Sequence, residues 1–100
     1  MNVTINTDGP KTLVTLNGRL DTTNVAQFQQ DIDPLLKLEQ PDIDIDCTDM
    51  EYTSSQGLRM FLILQKSVTA NKGKMVMHNM KPQVKEVFDI TGFSNIITIL

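Results

Sequence analysis

Six consecutive residues, Asp42-Ile43-Asp44-Ile45-Asp46-Cys47, alternate strictly between carboxylate and apolar side chains. Successive side chains of a strand point to opposite faces, so Ile43, Ile45 and Cys47 share one face and the three aspartates share the other. A strand covered on both faces reads as a continuous apolar run. This strand therefore has one wet face, and the helices of the chain must pack on a single side of its sheet.

The remaining periodicities supply those helices. Val3 and Ile5 alternate with Asn2, Thr4 and Asn6, and Thr12 to Leu16 is a second β-rich run ending near Asn17-Gly18. Between them lies the turn chemistry of Thr7-Asp8-Gly9-Pro10, so the chain is predicted to open with a hairpin. Val25, Phe28, Ile32, Leu35 and Leu36 then fall at helical spacing. Asp21 or one of Thr22 and Thr23 is the expected cap, and Pro34 predicts a kink or an early stop. A second helix starts at Ser54 or Ser55 and runs to about Asn71, with Gly73 as the expected left-handed residue after it. Met75 to Met77 reads as a strand. Pro82 to Ile90 reads as a third helix, whose inner stripe is Val84, Val87, Phe88 and Thr91. Gly92 ends that helix, and Ile96 to Leu100 closes the chain as a strand.

The order is therefore β-β-α-β-α-β-α-β. It predicts an α/β fold with a mixed sheet of about five strands and helices mainly on one face. No linker, repeat or low-complexity stretch interrupts the 100 residues, so residues 1–100 are read as one domain.

Composition removes several functions. The net charge of −3, with the basic residues scattered, argues against a nucleic-acid surface. The absence of Trp and the single Tyr argue against base stacking. The lone Cys47 has no partner for a disulfide or a metal, which fits a reducing cytoplasm. The longest apolar run, Met60 to Leu64, is too short to span a bilayer, and no signal peptide is visible. The expected protein is cytoplasmic, without membrane insertion.

Three segments carry a family likeness. Asp46-Cys47-Thr48-Asp49-Met50-Glu51-Tyr52-Thr53-Ser54-Ser55-Gln56-Gly57-Leu58-Arg59 resembles the central motif of STAS domains: a strand ending in Asp, a short loop with an aromatic residue, a serine pair, then Gly-Leu opening a helix. Asn17-Gly18-Arg19-Leu20-Asp21 resembles the Gly-x-Leu-Asp segment before the family's first helix. Thr91-Gly92-Phe93 resembles its turn before the last strand. The commoner motif reads Asp-Ser-Ser/Thr-Gly-Leu, so here Ser54 stands at the acidic position and Gln56 replaces the next Ser or Thr. The resemblance to the anti-sigma factor antagonist type implies a phosphoacceptor at Ser55. It also implies an anti-sigma factor with serine kinase activity as partner and a phosphoserine phosphatase that resets the switch. ATP and Mg²⁺ would belong to the kinase, and this chain would carry no cofactor and no catalytic residue.

Helical geometry tests which serine matters. On a wheel of 100° per residue, Phe61, Leu64 and Val68 share a face, and Ser54 falls near its edge. Ser55 falls on the opposite side, in line with Arg59, Leu62 and Lys66. A phosphate there would add a charge of about −1.5 to −2. It would sit at a helix N-terminus, with Arg59 one turn away. The expected partner footprint is Asp21, Ser54, Gln56, Arg59, Leu62 and Lys66.

The plainer readings stand beside these. A serine at a helix start is ordinarily an N-cap, the better reading for Ser54, and helix capping is an equal role for Asp21. Asp42, Asp44 and Asp46 lie about 7 Å apart along a strand, which reads as a solvated face and not a cation site. Asp46 is expected to order the segment after its strand. His78 and Cys47 lack the nucleophile elbow and third residue of a hydrolase. Two other functions stay open. One is a STAS subunit docked constitutively in a lipid-transport ATPase complex or a stress-signalling complex; the other is a small-ligand sensing module.

Overall fold

In the computed structural model, which describes residues 1–100, strands β1 (Asn2–Asp8) and β2 (Lys11–Leu20) pair antiparallel across Gly9-Pro10. Gly9 takes φ +61°, a conformation open to glycine at little cost. The chain continues through α1 (Val25–Leu36), β3 (Asp42–Thr53), α2 (Ser55–Ala70), β4 (Lys74–His78) and α3 (Pro82–Ile90). A 3-10 turn at Phe93–Asn95 leads into β5 (Thr98–Ile99). The predicted element order is the observed one.

The five strands lie in the order β1-β2-β3-β4-β5, with β2 to β5 parallel. Each crossover thus steps to the next strand in the same direction. Right-handed crossovers that all step one way put every connecting helix on one face. The one-sided architecture inferred from the aspartates therefore has a topological cause. Ile43, Ile45 and Cys47 are buried beneath the helices, while Asp42, Asp44 and Asp46 keep partial exposure on the other side. Phe61 of α2 sits at the centre of the helical layer. Its ring lies 5.4 Å from that of Phe28 in α1, edge on, and 5.9 Å from that of Phe88 in α3.

The structure departs from the sequence reading at identifiable places. β2 does not end at Asn17-Gly18 but runs to Leu20, and β3 runs past Cys47 to Thr53. β3 carries an extra residue between Asp46 and Asp49 and another between Met50 and Tyr52, relative to the β2 positions opposite. Such bulges break the period of two. The buried positions become Cys47, Met50 and Thr53, every third residue, so the motif's expected loop is bulged strand. Asn24, not Asp21 or a threonine, occupies the N-cap position of α1, and its side chain caps no helical N–H. Pro34 lies in the last turn, and the helix stops at Leu36.

After α2 the left-handed residue is Lys72 (φ 60°), not Gly73. The Lys72 N–H donates to the Thr69 carbonyl (3.1 Å) and the Gly73 N–H to the Val68 carbonyl (2.9 Å), a Schellman closure. Gly73 is required for another reason: a Cβ there would lie 2.1 Å from the Pro41 carbonyl oxygen. Thr91 is outside the buried stripe of α3. It is exposed, and its hydroxyl donates back to the Val87 carbonyl (2.7 Å). The closing strand shrinks to Thr98–Ile99 because Phe93–Asn95 coils first.

Candidate functional site

The site is built where β3 hands over to α2. Thr53 is buried, and Ser54 remains extended (φ −80°, ψ 171°) as the N-cap residue. Ser54 Oγ accepts from the Gly57 N–H at 3.2 Å, satisfying one of the free donors of the first turn. The Ser54 N–H donates to the Leu20 carbonyl at 2.8 Å, which fastens the entry of α2 to the end of β2. Gly57 permits this closeness. A Cβ on it would lie 2.4 Å from Thr53 Oγ1 and 2.7 Å from Leu20 Cδ2. Leu58 then plugs into the core, 2% exposed.

These constraints leave Ser55 on the outside, at the first helical position. It is exposed, and its hydroxyl is bonded to no protein group, in contrast with that of Ser54. Gln56, Arg59 and Lys66 are exposed as well, and Leu62 is half-buried. Ile63 beside it is 41% exposed. Ser55, Arg59 and Lys66 of the stripe given by the wheel are thus exposed, with Leu62 half-buried between them. The ion pairs of the molecule use Lys11, Lys37, Lys74, His78 and Lys85, so Arg59 and Lys66 remain free. No acidic residue neutralises the first turn of α2. The positive end of the helix dipole and the Arg59 guanidinium thus face solvent around the Ser55 hydroxyl.

Asp21 follows Leu20 directly, so the strand-end bond to Ser54 brings its loop to the mouth of α2. Asp21 Oδ1 accepts from Thr23 Oγ1 (2.5 Å) and from the Thr23 N–H (3.0 Å). These hydrogen bonds, the hydroxyl's first, hold its carboxyl below the usual aspartate range. Asn24 braces the same loop by accepting from the Asp21 N–H (2.9 Å) and donating to the Arg19 carbonyl (2.8 Å). The sequence reading missed a neighbour of this loop. The Arg19 guanidinium lies 4.4 Å above the ring of Tyr52, its register partner on β3. Both residues fall in motif segments, but their pairing was hidden because the strand reading stopped at Cys47.

The other candidates are absorbed by structure. Asp46 Oδ1 accepts from Thr48 Oγ1 (2.6 Å) and the Thr48 N–H (3.0 Å), which lowers its pKa and shapes the first bulge of β3. His78 Nε2 lies 2.5 Å from Asp44 Oδ1, and Asn79 Nδ2 lies 2.9 Å from His78 Nδ1. These two contacts tie the ring to the open face of the sheet. Burial pushes the Cys47 thiol up to about 12, so it stays protonated and poorly nucleophilic. No helix is long and apolar enough to cross a membrane.

A five-stranded mixed sheet, helices on one face, and a serine pair opening the central helix define a class that sequence comparison independently recovers. The STAS domain model matches residues 2–100, and the chain belongs to the STAS domain family. Among curated relatives, BtrV of Bordetella bronchiseptica, named as a candidate anti-sigma factor antagonist, is 30% identical over 84 residues. The alignment covers 84% of this chain and 72% of BtrV. The anti-sigma-B factor antagonist of Bacillus subtilis is 29% identical over 86 residues, covering 86% of this chain and 78% of that protein. Among solved structures, the Bacillus anti-sigma factor antagonist SpoIIAA in its unphosphorylated form superposes with a TM-score of 0.79 at 18% identity, covering 99% of this chain and 88% of that one. Its phosphorylated form gives 0.73 at 17% identity, over 99% and 91%.

Proposed function

We propose that this protein is an anti-sigma factor antagonist: a cytoplasmic binding switch, not an enzyme, whose state is set by phosphorylation of Ser55. The observation that carries the reading is the free, exposed hydroxyl of Ser55 at the head of a stripe containing two unpaired cations. The names of the curated relatives support the antagonist role, and the reading is in keeping with SpoIIAA, a protein of the same fold solved in an unphosphorylated and a phosphorylated form.

Unphosphorylated, the surface formed by Asp21, Ser54, Ser55, Gln56, Arg59, Leu62 and Lys66 docks on an anti-sigma factor that is also a serine kinase. Leu62 supplies an apolar anchor, and the charged residues form its rim. The kinase draws on ATP and Mg²⁺ to place a phosphoryl group on Ser55 Oγ. The helix terminus and Arg59 accommodate the new charge within the fold. The partner, shaped for a neutral hydroxyl, meets a hydrated dianion instead. Desolvating that charge without compensation costs several kcal/mol, on the order of a thousandfold in affinity. A phosphoserine phosphatase restores the binding state.

Ser55→Asp should abolish pull-down of the cognate kinase while leaving the melting temperature nearly unchanged, and Ser55→Ala should bind without being modified. Equal binding by Ser55→Asp and wild type would overturn the switch. A complex that forms while the serine never gains a phosphoryl group would assign the chain to constitutive docking.

A further inference from the structure

The two edges of the sheet are treated differently. β5 offers only two residues, too short to template another strand. β1 offers seven, and its sole strand neighbour is β2. An edge strand presents a row of unpaired N–H and C=O groups, which proteins commonly blunt with lysine, proline, a bulge or a covering element. β1 has no Lys, Arg or Pro, its register against β2 is unbroken, and its one charge is Asp8 at the far end.

The sequence of this edge is also self-complementary. Asn2-Val3-Thr4-Ile5-Asn6 has the same chemistry read in either direction: amide, β-branched apolar, Thr, β-branched apolar, amide. Thr4, Asn2 and Asn6 are exposed, while Val3 and Ile5 lie half-buried against the edge of the core. We propose that β1 pairs antiparallel with β1 of a second copy of this chain, about a two-fold axis at Thr4.

That axis sets Thr4 opposite Thr4, Val3 opposite Ile5 twice and Asn2 opposite Asn6 twice. These five pairs join like chemistry, as an isologous contact demands, and Thr7 of each copy falls opposite Met1 of the other, outside the self-complementary stretch. The Val3–Ile5 pairs continue the apolar face across the junction, and Thr–Thr is a favourable cross-strand pair. A one-residue slip would turn Val3 and Ile5 to the wrong face of the partner sheet. Moving the axis to Ile5 sets Val3 opposite Thr7, and moving it to Val3 leaves fewer residues paired. The two sheets would join into one, and the contact uses no residue of the Ser55 surface. It is independent of the proposed switch.

Cysteine cross-linking of the full chain tests both the contact and its register. Directly opposed residues have Cβ atoms about 5 Å apart, within reach of a disulfide after small adjustment. Thr4→Cys should therefore yield a disulfide dimer on mild oxidation. Asn6→Cys should not, because its two copies would stand roughly 13 Å apart. The native Cys47 is fully buried and does not compete. In sedimentation, the wild-type mass should double with rising concentration. Thr4→Lys, which sets two cations face to face at the axis, should stay monomeric and keep the melting temperature of dilute, monomeric wild type. A wild type that remains monomeric at every concentration, as expected if β1 serves a different protein's strand or none, overturns the proposal. So does equal cross-linking at residues 4 and 6.

Discussion

Ser54 and Ser55 are chemically identical and adjacent, yet the helix start gives them different work. Ser54 is tied through Oγ to the Gly57 N–H, while Ser55 is bonded to nothing and faces solvent. Ser54→Ala removes the cap and should cost about 1 kcal/mol of stability in chemical denaturation. Ser55→Ala should cost almost nothing. Equal losses at both positions would contradict the assignment of the cap. The wheel made this division legible in the sequence because side-chain direction in a helix depends only on spacing. The job of Asp21 was not legible in the same way. Its partner, Thr23, is a local loop contact with no periodic signature.

At the level of elements, the decisive contact is between the first turn of α2 and the end of β2. Gly57 rests against Leu20 and Thr53, which are 0% and 4% exposed and have no room to retreat. Gly57→Ala should therefore destabilise the protein by roughly 1–3 kcal/mol despite its better helix propensity. Urea denaturation reads this directly; a neutral or stabilising result would mean that the helix entry is looser than the geometry indicates. The three helices were legible in the sequence because each carries a sustained apolar stripe. The second half of β3 was not, since two bulges replace its alternation with burial at every third residue. That failure concealed the pairing of Arg19 with Tyr52 beside the candidate site.

Over the whole molecule, the strand order fixes the layers and Phe61 joins them. Its ring meets Phe28 of α1 on one side and Phe88 of α3 on the other. Phe61→Ala should cost about 3–5 kcal/mol. A domain this size has only about 5–15 kcal/mol in total, so the variant should melt far below wild type and be partly unfolded at physiological temperature. A shift of only a few degrees would show that the core closes over the gap. The one-sided architecture was legible from a single strand, Asp42 to Cys47, because a wet face admits no second helical layer. The neighbour relations between strands were not, since no local pattern records which edge a crossover returns to.

The bond from the Ser54 N–H to the Leu20 carbonyl has a further bearing on recognition. It holds the Ser55 hydroxyl, the proposed phosphoacceptor, on a preformed corner, with its flanking backbone already committed to the sheet on one side and to the helix on the other. A modifying enzyme cannot draw this segment into a cleft as an extended peptide without first unravelling that corner. Under the proposed switch, selectivity would then reside in the contour of the folded surface more than in the letters around the serine, which would leave Ser54 and Gln56 latitude to differ from the commoner pattern.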